Sequence, residues 1–208
     1  IRGLVGSEMC IRDSDWTAES LKLGIDITRH SWKTLASQEP NRYPKELFTV
    51  LESTWVFNTV EWLDHYAKRD WTLTHMDYEL DNVLIDDDGP IVIDWQSPMI
   101  SHPGVDLAWL RAASHTEETL AVEEDFLKLY RDILSSSGGP SWSAEDLEEA
   151  LAWGILYPVS CQAVPYLQDV SAYGAGADRM HQRFEKFLQG SIDAAVRWNL
   201  VDHLQPLI

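Results

Sequence analysis

The chain has 208 residues, 45% apolar and 24% charged, enough for one large domain or two small ones around a real core. No apolar run approaches the roughly 20 residues of a membrane span, and no charged-then-apolar leader opens the chain, so a cytoplasmic protein with no membrane partner is expected. A formal charge of −18 argues against a nucleic-acid backbone as partner and leans towards a cationic ligand, or serves solubility alone. Cys10 and Cys161 stand far apart with no CxxC pair, which excludes a cysteine-built zinc site.

In chain order, residues 1–14 show neither helical nor strand period and read as a non-native or disordered leader, leaving 15–208 as the folded unit. Asp15 to Leu35 carries apolar residues at Leu21, Ile25, Trp32 and Leu35, a helix interrupted around Gly24. Glu39 to Pro44 is a loop, and Pro44 opens a helix with Leu47, Leu51 and Trp55 at four-residue spacing, running to Tyr66 and the terminal cations Lys68 and Arg69. Residues 72–95 change character: a short apolar segment, a polar loop, then two short strands around Asp87-Asp88-Gly89-Pro90. Trp95 to Gly104 reads as loop, and a short helix begins near Gly104 with Asp106 in its first turn. A helix over 117–134 and a Ser/Gly linker over 135–140 follow. Ser143 with Asp146 forms a capping box for an apolar stretch over 147–167, in which Pro158 and Pro165 should kink or break the helix. Residues 172–177 are a Gly/Ala loop. The last helix, 178–200, buries Met180, Phe184, Phe187, Leu188, Ile192 and Val196. The body is thus helical, with strands confined to the middle, and the ten tryptophans suit helix packing.

Chemistry concentrates at the strand ends. His75 and Asp77 follow the first apolar segment, Asn82 enters the second and Asp94 leaves the third. A carboxylate on a loop, with an amide and a second carboxylate brought near by a hairpin, are the parts phosphoryl transfer uses. One orients the attacking hydroxyl, and two hard oxygen ligands hold Mg²⁺ on the nucleotide phosphates. The His/Asp/Asn triple alone arises by chance in about 1–2% of chains this size, and the flanking strands and Asp94 reduce that further. By contrast, Asp86-Asp87-Asp88-Gly89 lacks calcium-loop spacing and reads as a hairpin turn. His102 reads as a surface or capping residue. Trp95 either lines the cleft or joins the core. The aromatics Trp153, Tyr157, Tyr166 and Tyr173, with Asp169, either pack or build an acceptor pocket.

The segment Leu73 to Leu110 resembles the core of the aminoglycoside phosphotransferase superfamily, relatives of choline kinases and, more distantly, of protein kinases; Asp94-Trp95-Gln96 is similar to ecdysteroid-kinase-like members. The resemblance implies an α+β, mainly helical, protein-kinase-like C-terminal lobe with a small central β-hairpin. It implies a catalytic role for Asp77, with His75 bracing the loop near Asp94. Asn82 and Asp94 would be Mg²⁺ ligands at the ATP site, and Asp106 would tie the catalytic loop in place. Met76 departs from the small residue, often Gly, that such proteins carry between His and Asp.

The resemblance also implies an N-terminal nucleotide lobe with a strand lysine and a glycine-bearing loop. Nothing before residue 72 supplies either, so that lobe is expected to be missing. The expected activity is ATP- and Mg²⁺-dependent transfer to a hydroxyl of a small molecule, aminoglycoside-, choline-, sugar- or steroid-like. The alternatives are an inactive binding or scaffold module on the same fold, and direct metal-assisted hydrolysis by His75, Asp77 and Asp94. The last lacks a second histidine at metal-ligand spacing.

Overall fold

The computed structural model describes residues 18–57, 72–114 and 116–205. Its helices are α1 (Ala18–Gln38), α2 (Lys45–Phe57), α3 (Gly104–Ala113), α4 (Glu117–Ala121), α5 (Glu123–Ser136), α6 (Ala144–Cys161), α7 (Ala163–Tyr166), α8 (Ala177–Arg197) and α9 (Leu200–Leu204). Between α2 and α3 run β1 (Thr72–Thr74), β2 (Val83–Asp86), β3 (Gly89–Val92) and β4 (Met99–Ser101). The strands form two antiparallel pairs, β1 with β4 and β2 with β3, so the described part is α+β and mainly helical. No described helix is long and apolar enough to cross a membrane. The leader 1–14 and the stretch 58–69, through which the second helix was expected to continue, lie outside the described residues.

The helical body is built on a close crossing. At the contact of α3 with α6, a Cβ on Gly104 would stand 1.9 Å from the Ala150 carbonyl oxygen, and one on Gly154 would stand 2.0 Å from that of Gly104. Any other residue would force the helices apart, so glycine at both positions sets their spacing. Around this crossing Leu107, Ala108, Leu151, Ile155, Leu188 and Ile192 are buried in one cluster shared by α3, α6 and α8. Each buried Leu or Ile contributes about 1.5–3 kcal/mol, so apolar burial dominates the stability of this region. Trp32, Leu35, Leu47 and Leu51 join α1 and α2 to the same cluster, and the Trp32 indole N–H donates to the Ser160 carbonyl at 2.9 Å. Buried Glu123 accepts from buried Arg111 and, at 2.7 Å, from half-exposed Arg197, tying α5 to α3 and α8.

Several sequence expectations are corrected. Helix α1 runs unbroken through Gly24, because glycine in a helix costs about 1 kcal/mol relative to alanine and does not by itself end one. The helix expected over 117–134 is two, divided where Val122 leaves helical geometry at φ −107°, ψ 2°. Helix α6 passes through Pro158 and stops at Cys161. Residues 171–176 form two 3₁₀ turns parted by a kink at Gly174, at φ 53°, ψ −124°. Val196 lies 48% exposed on the outer side of α8. The stretch read as loop after Trp95 contains β4, which pairs with β1 in the register Thr72↔Ser101 and Thr74↔Met99. The capping box is as expected: Ser143 Oγ accepts from Asp146 N at 3.1 Å and Ser143 N donates to Asp146 Oδ2 at 2.7 Å.

Candidate active site

β1 delivers the chain to Thr74, whose hydroxyl donates to the Met99 carbonyl at 2.9 Å. The backbone then turns sharply, with Met76 at φ 67°. A side chain in that left-handed region costs roughly 1–2 kcal/mol, so something must hold it there. Asp106 does so from the first turn of α3. One carboxylate oxygen accepts from His75 N at 2.7 Å, the other from Met76 N at 2.9 Å. The first turn of a helix favours a carboxylate, and α3 packs against both α6 and α8. Burial pushes the Asp106 carboxyl above its ordinary pKa, and the two amide hydrogen bonds and nearby His75 oppose that shift only in part. The positive φ at position 76 also explains why a small residue suits this place.

His75 is 1% exposed, and its Nε2 lies 2.8 Å from the Ile93 carbonyl. A carbonyl can only accept, so Nε2 carries the proton. The Trp95 ring meets the imidazole edge-on at 4.7 Å between centroids. Trp95 itself is 47% exposed, so it joins the rim and not the core. His75 therefore links the loop to the residue preceding Asp94.

The hairpin brings Asn82 and Asp94 to one end. Its register pairs Val83 with Val92, and Ile93 N donates to the Asn82 carbonyl at 2.9 Å, leaving Asp94 as the next residue out. Asn82 is buried. Its Nδ2 donates to the Asp77 carbonyl at 2.8 Å and stands 3.4 Å from Asp77 Oδ2. With the amide nitrogen so committed, Oδ1 is left without a hydrogen bond among the described residues. Asp94, at φ 62°, is exposed and forms no ion pair among them. The structure thus brings His75, Asp77, Asn82 and Asp106 into one hydrogen-bonded unit and sets Asp94 at the same hairpin end. Among the described residues no cluster of three or more His, Cys, Asp or Glu is arranged to hold a metal. One amide oxygen and one carboxylate still suit Mg²⁺, which takes one or two protein oxygens and completes its shell with phosphate and water.

The family model for the phosphotransferase enzyme family matches residues 12–147. The chain belongs to the phosphotransferase enzyme family. No curated protein and no solved structure matches it. The matched stretch holds the whole 75–82 loop, the hairpin and Asp106, and stops within α6.

Other singled-out residues fall elsewhere. His102 is buried and caps α3, its Nδ1 accepting from Gly104 N at 3.2 Å. Asp86 organises the hairpin turn, its Oδ1 accepting from Asp88 N at 2.9 Å and Gly89 N at 3.1 Å. Trp153 is core, and Tyr166 donates to Glu39 at 2.6 Å beneath the Arg42 guanidinium. Sequence reasoning missed Glu79. It is buried behind Asp77 and forms an ion pair with Arg183 of α8. Burial pushes the Glu79 carboxyl up, Asp77 and Asp81 add to the effect, and Arg183 opposes it. The pair bounds a groove of about 470 Å³ between the loop and α8. One signal was readable: Arg179, Arg183 and Lys186 recur at spacings of four and three, one face of a helix.

Proposed function

We propose that this phosphotransferase family member is a small-molecule kinase, moving the γ-phosphoryl group of ATP to an alcohol from a protein-kinase-like lobe. The observation that carries the reading is the pair of hydrogen bonds that the His75 and Met76 amides donate to Asp106, which fixes the loop bearing Asp77. Such transfer needs little covalent chemistry from the protein and depends on positioning and charge. Asp77 accepts the hydrogen bond of the acceptor hydroxyl, aims its oxygen and takes the proton as the new P–O bond forms and the bond from the γ-phosphorus to the bridging oxygen breaks, releasing ADP. Asn82 holds the loop through its Nδ2 and offers Oδ1 to the metal. Asp94 offers the second oxygen from the other side of the hairpin neck. Bound Mg²⁺·ATP supplies the phosphoryl group and neutralises charge on its phosphates. His75 fixes the strand leading to Asp94 through the Ile93 carbonyl. Leu84, Ile91 and Ile93 are exposed, share one face of the hairpin that leads to Asp94, and offer an apolar surface to the base.

The test is Mg²⁺-dependent ATP binding and ATP turnover by the purified protein with pooled alcohols. Asp77→Asn should bind nucleotide and lose turnover, whereas Asp94→Asn should lose the Mg²⁺ dependence of binding. Wild-type protein that binds no Mg²⁺·ATP would leave an inactive binding module on the same fold.

A further inference from the structure

The groove beside the loop has an unusual charge for this molecule. Its walls are Glu79 and Asp81 from the loop, Ala113 at the end of α3, and Arg179, Met180, Gln182, Arg183, Lys186 and Phe187 from α8. Three of the sixteen basic residues of a chain with net charge −18 therefore face one groove. Glu79 and Arg183 neutralise one another. Arg179 and Lys186 have no ion pair or hydrogen bond among the described residues.

That arrangement carries a cost in the free protein. Like charges at i and i+4 on one helix repel, and Arg179 lies in the first turn of α8, where the helix dipole disfavours a cation. Twenty-one residues of α8 offer many outward positions, and three of its four cations instead line the groove that abuts the loop. Glu79 N donates to the Asp77 carbonyl at 3.1 Å, so the groove begins two residues from the carboxylate assigned to the acceptor hydroxyl. Its volume is that of a small-metabolite site.

We propose that this groove is the subsite for an anionic group of the phosphoryl acceptor, a carboxylate or a phosphate monoester, held by Arg179 and Lys186 with Gln182 beside them. The acceptor's charged end lies on α8 and its hydroxyl end reaches towards Asp77. Asp81 on the loop side repels a reversed orientation. This inference rests on the kinase reading for the word acceptor, but not for the binding of anions. It reverses the leaning towards a cationic substrate that net charge suggests, because the groove's three cations outnumber its two carboxylates and charges farther away are screened.

The experiment has two arms. In the first, inorganic phosphate, glycerol 3-phosphate, D-glycerate, glycerol and choline are titrated into the intact protein by calorimetry, without nucleotide. Binding of the anions only, weakened about tenfold by Arg179→Gln or Lys186→Gln and largely restored in Arg179→Lys, supports the proposal; phosphate against glycerate separates the two anion classes. Lys128→Gln changes net charge equally at a position outside the groove lining and should leave binding unaltered. Circular dichroism confirms that each variant folds. Absence of anion binding, or binding indifferent to Arg179 and Lys186, overturns the site. In the second arm, alcohols that support ATP turnover are sorted by charge. Anionic acceptors whose KM rises about tenfold in the two variants, with kcat within about threefold, support the assignment. Turnover confined to neutral or cationic alcohols overturns it while leaving the kinase reading intact. No Mg²⁺·ATP binding and no turnover with any alcohol overturns the kinase reading and the acceptor role together, even where the first arm shows an anion site.

Discussion

The α3–α6–α8 body and the strand segment 72–101 sit side by side and are held together by different physics. In the body, helices touch at Gly104 and Gly154 and bury a continuous apolar cluster. In the strand segment, Leu84, Ile85, Ile91 and Ile100 are 52%, 75%, 45% and 46% exposed, and neither two-stranded sheet encloses a core. An isolated hairpin is marginal in water. The 75–82 loop before it keeps its shape through polar tethers, chiefly Asp106 and the His75–Ile93 contact. The body therefore supplies stability and lends one carboxylate to the segment, while the segment carries the candidate catalytic residues. The two should fail differently.

The largest effect expected is on turnover alone. Asp77→Asn removes a proton acceptor on a half-buried loop position without touching the Asp106 tether, so kcat should fall roughly 10²–10⁴-fold. The melting temperature should stay within a few degrees. A large drop in melting temperature would show that Asp77 belongs to the structure as much as to the reaction.

Gly154→Ala probes the body. Its Cβ would meet the Gly104 carbonyl carbon at 2.2 Å and oxygen at 2.0 Å, and backbone cannot swing aside as a side-chain tip can. A loss of about 2–4 kcal/mol in urea unfolding is expected, with KM of the surviving folded fraction little changed. Lost activity at unchanged stability would erase the division between the two regions.

Asp106→Asn tests one of the links between them, the Glu79–Arg183 pair being another. An amide can offer a single acceptor oxygen to two buried N–H groups, so about 2 kcal/mol should be lost, with hydrogen-exchange protection of His75 and Met76 falling most. The pH dependence has a definite sign. Burial raises the folded-state pKa of Asp106, so the folded protein binds this proton more tightly than the unfolded chain. The stability from that proton is complete below the ordinary carboxylate range and is lost as pH rises through the raised value. The gap in unfolding free energy between wild type and Asp106→Asn should therefore narrow from pH 4 to pH 7, and a widening gap would refute the burial argument.

These contrasts also explain what was legible in the sequence. His75, Asp77, Asn82 and Asp94 could be read because their arrangement follows from local spacing: a tight loop, then a hairpin whose turn residues fix the register. Helix positions followed from period and capping, as at Ser143. What could not be read depends on distant partners. β4 is three residues long, too short for a period, and exists because Thr72 finds Ser101. The Glu79–Arg183 pair spans 104 positions of sequence. The spacing of Gly104 and Gly154 carries no sign of one helix crossing another. The cations of α8 were visible as a face, but which surface they faced was not.

The smallest effect belongs to the hairpin tip. Asp86 Oδ1 accepts from the Asp88 and Gly89 amides, and Gly89 at φ 122° completes a turn that few other residues would enter. Asp86→Ala removes the acceptor but leaves both amides exposed to water, which replaces most of the lost interaction, so about 0.5–1 kcal/mol of local stability should go. Because the hairpin has no core of its own, that loss should not spread to global unfolding. It should appear as faster hydrogen exchange across Val83–Val92 and as a modestly higher KM for Mg²⁺·ATP, since the same hairpin carries Asn82 and Asp94 at its other end. A shift of the global unfolding midpoint by the same amount would mean that the hairpin is coupled to the body beyond Asp106 and the Glu79–Arg183 pair, and the separation of the two regions would have to be redrawn with the hairpin inside the cooperative unit.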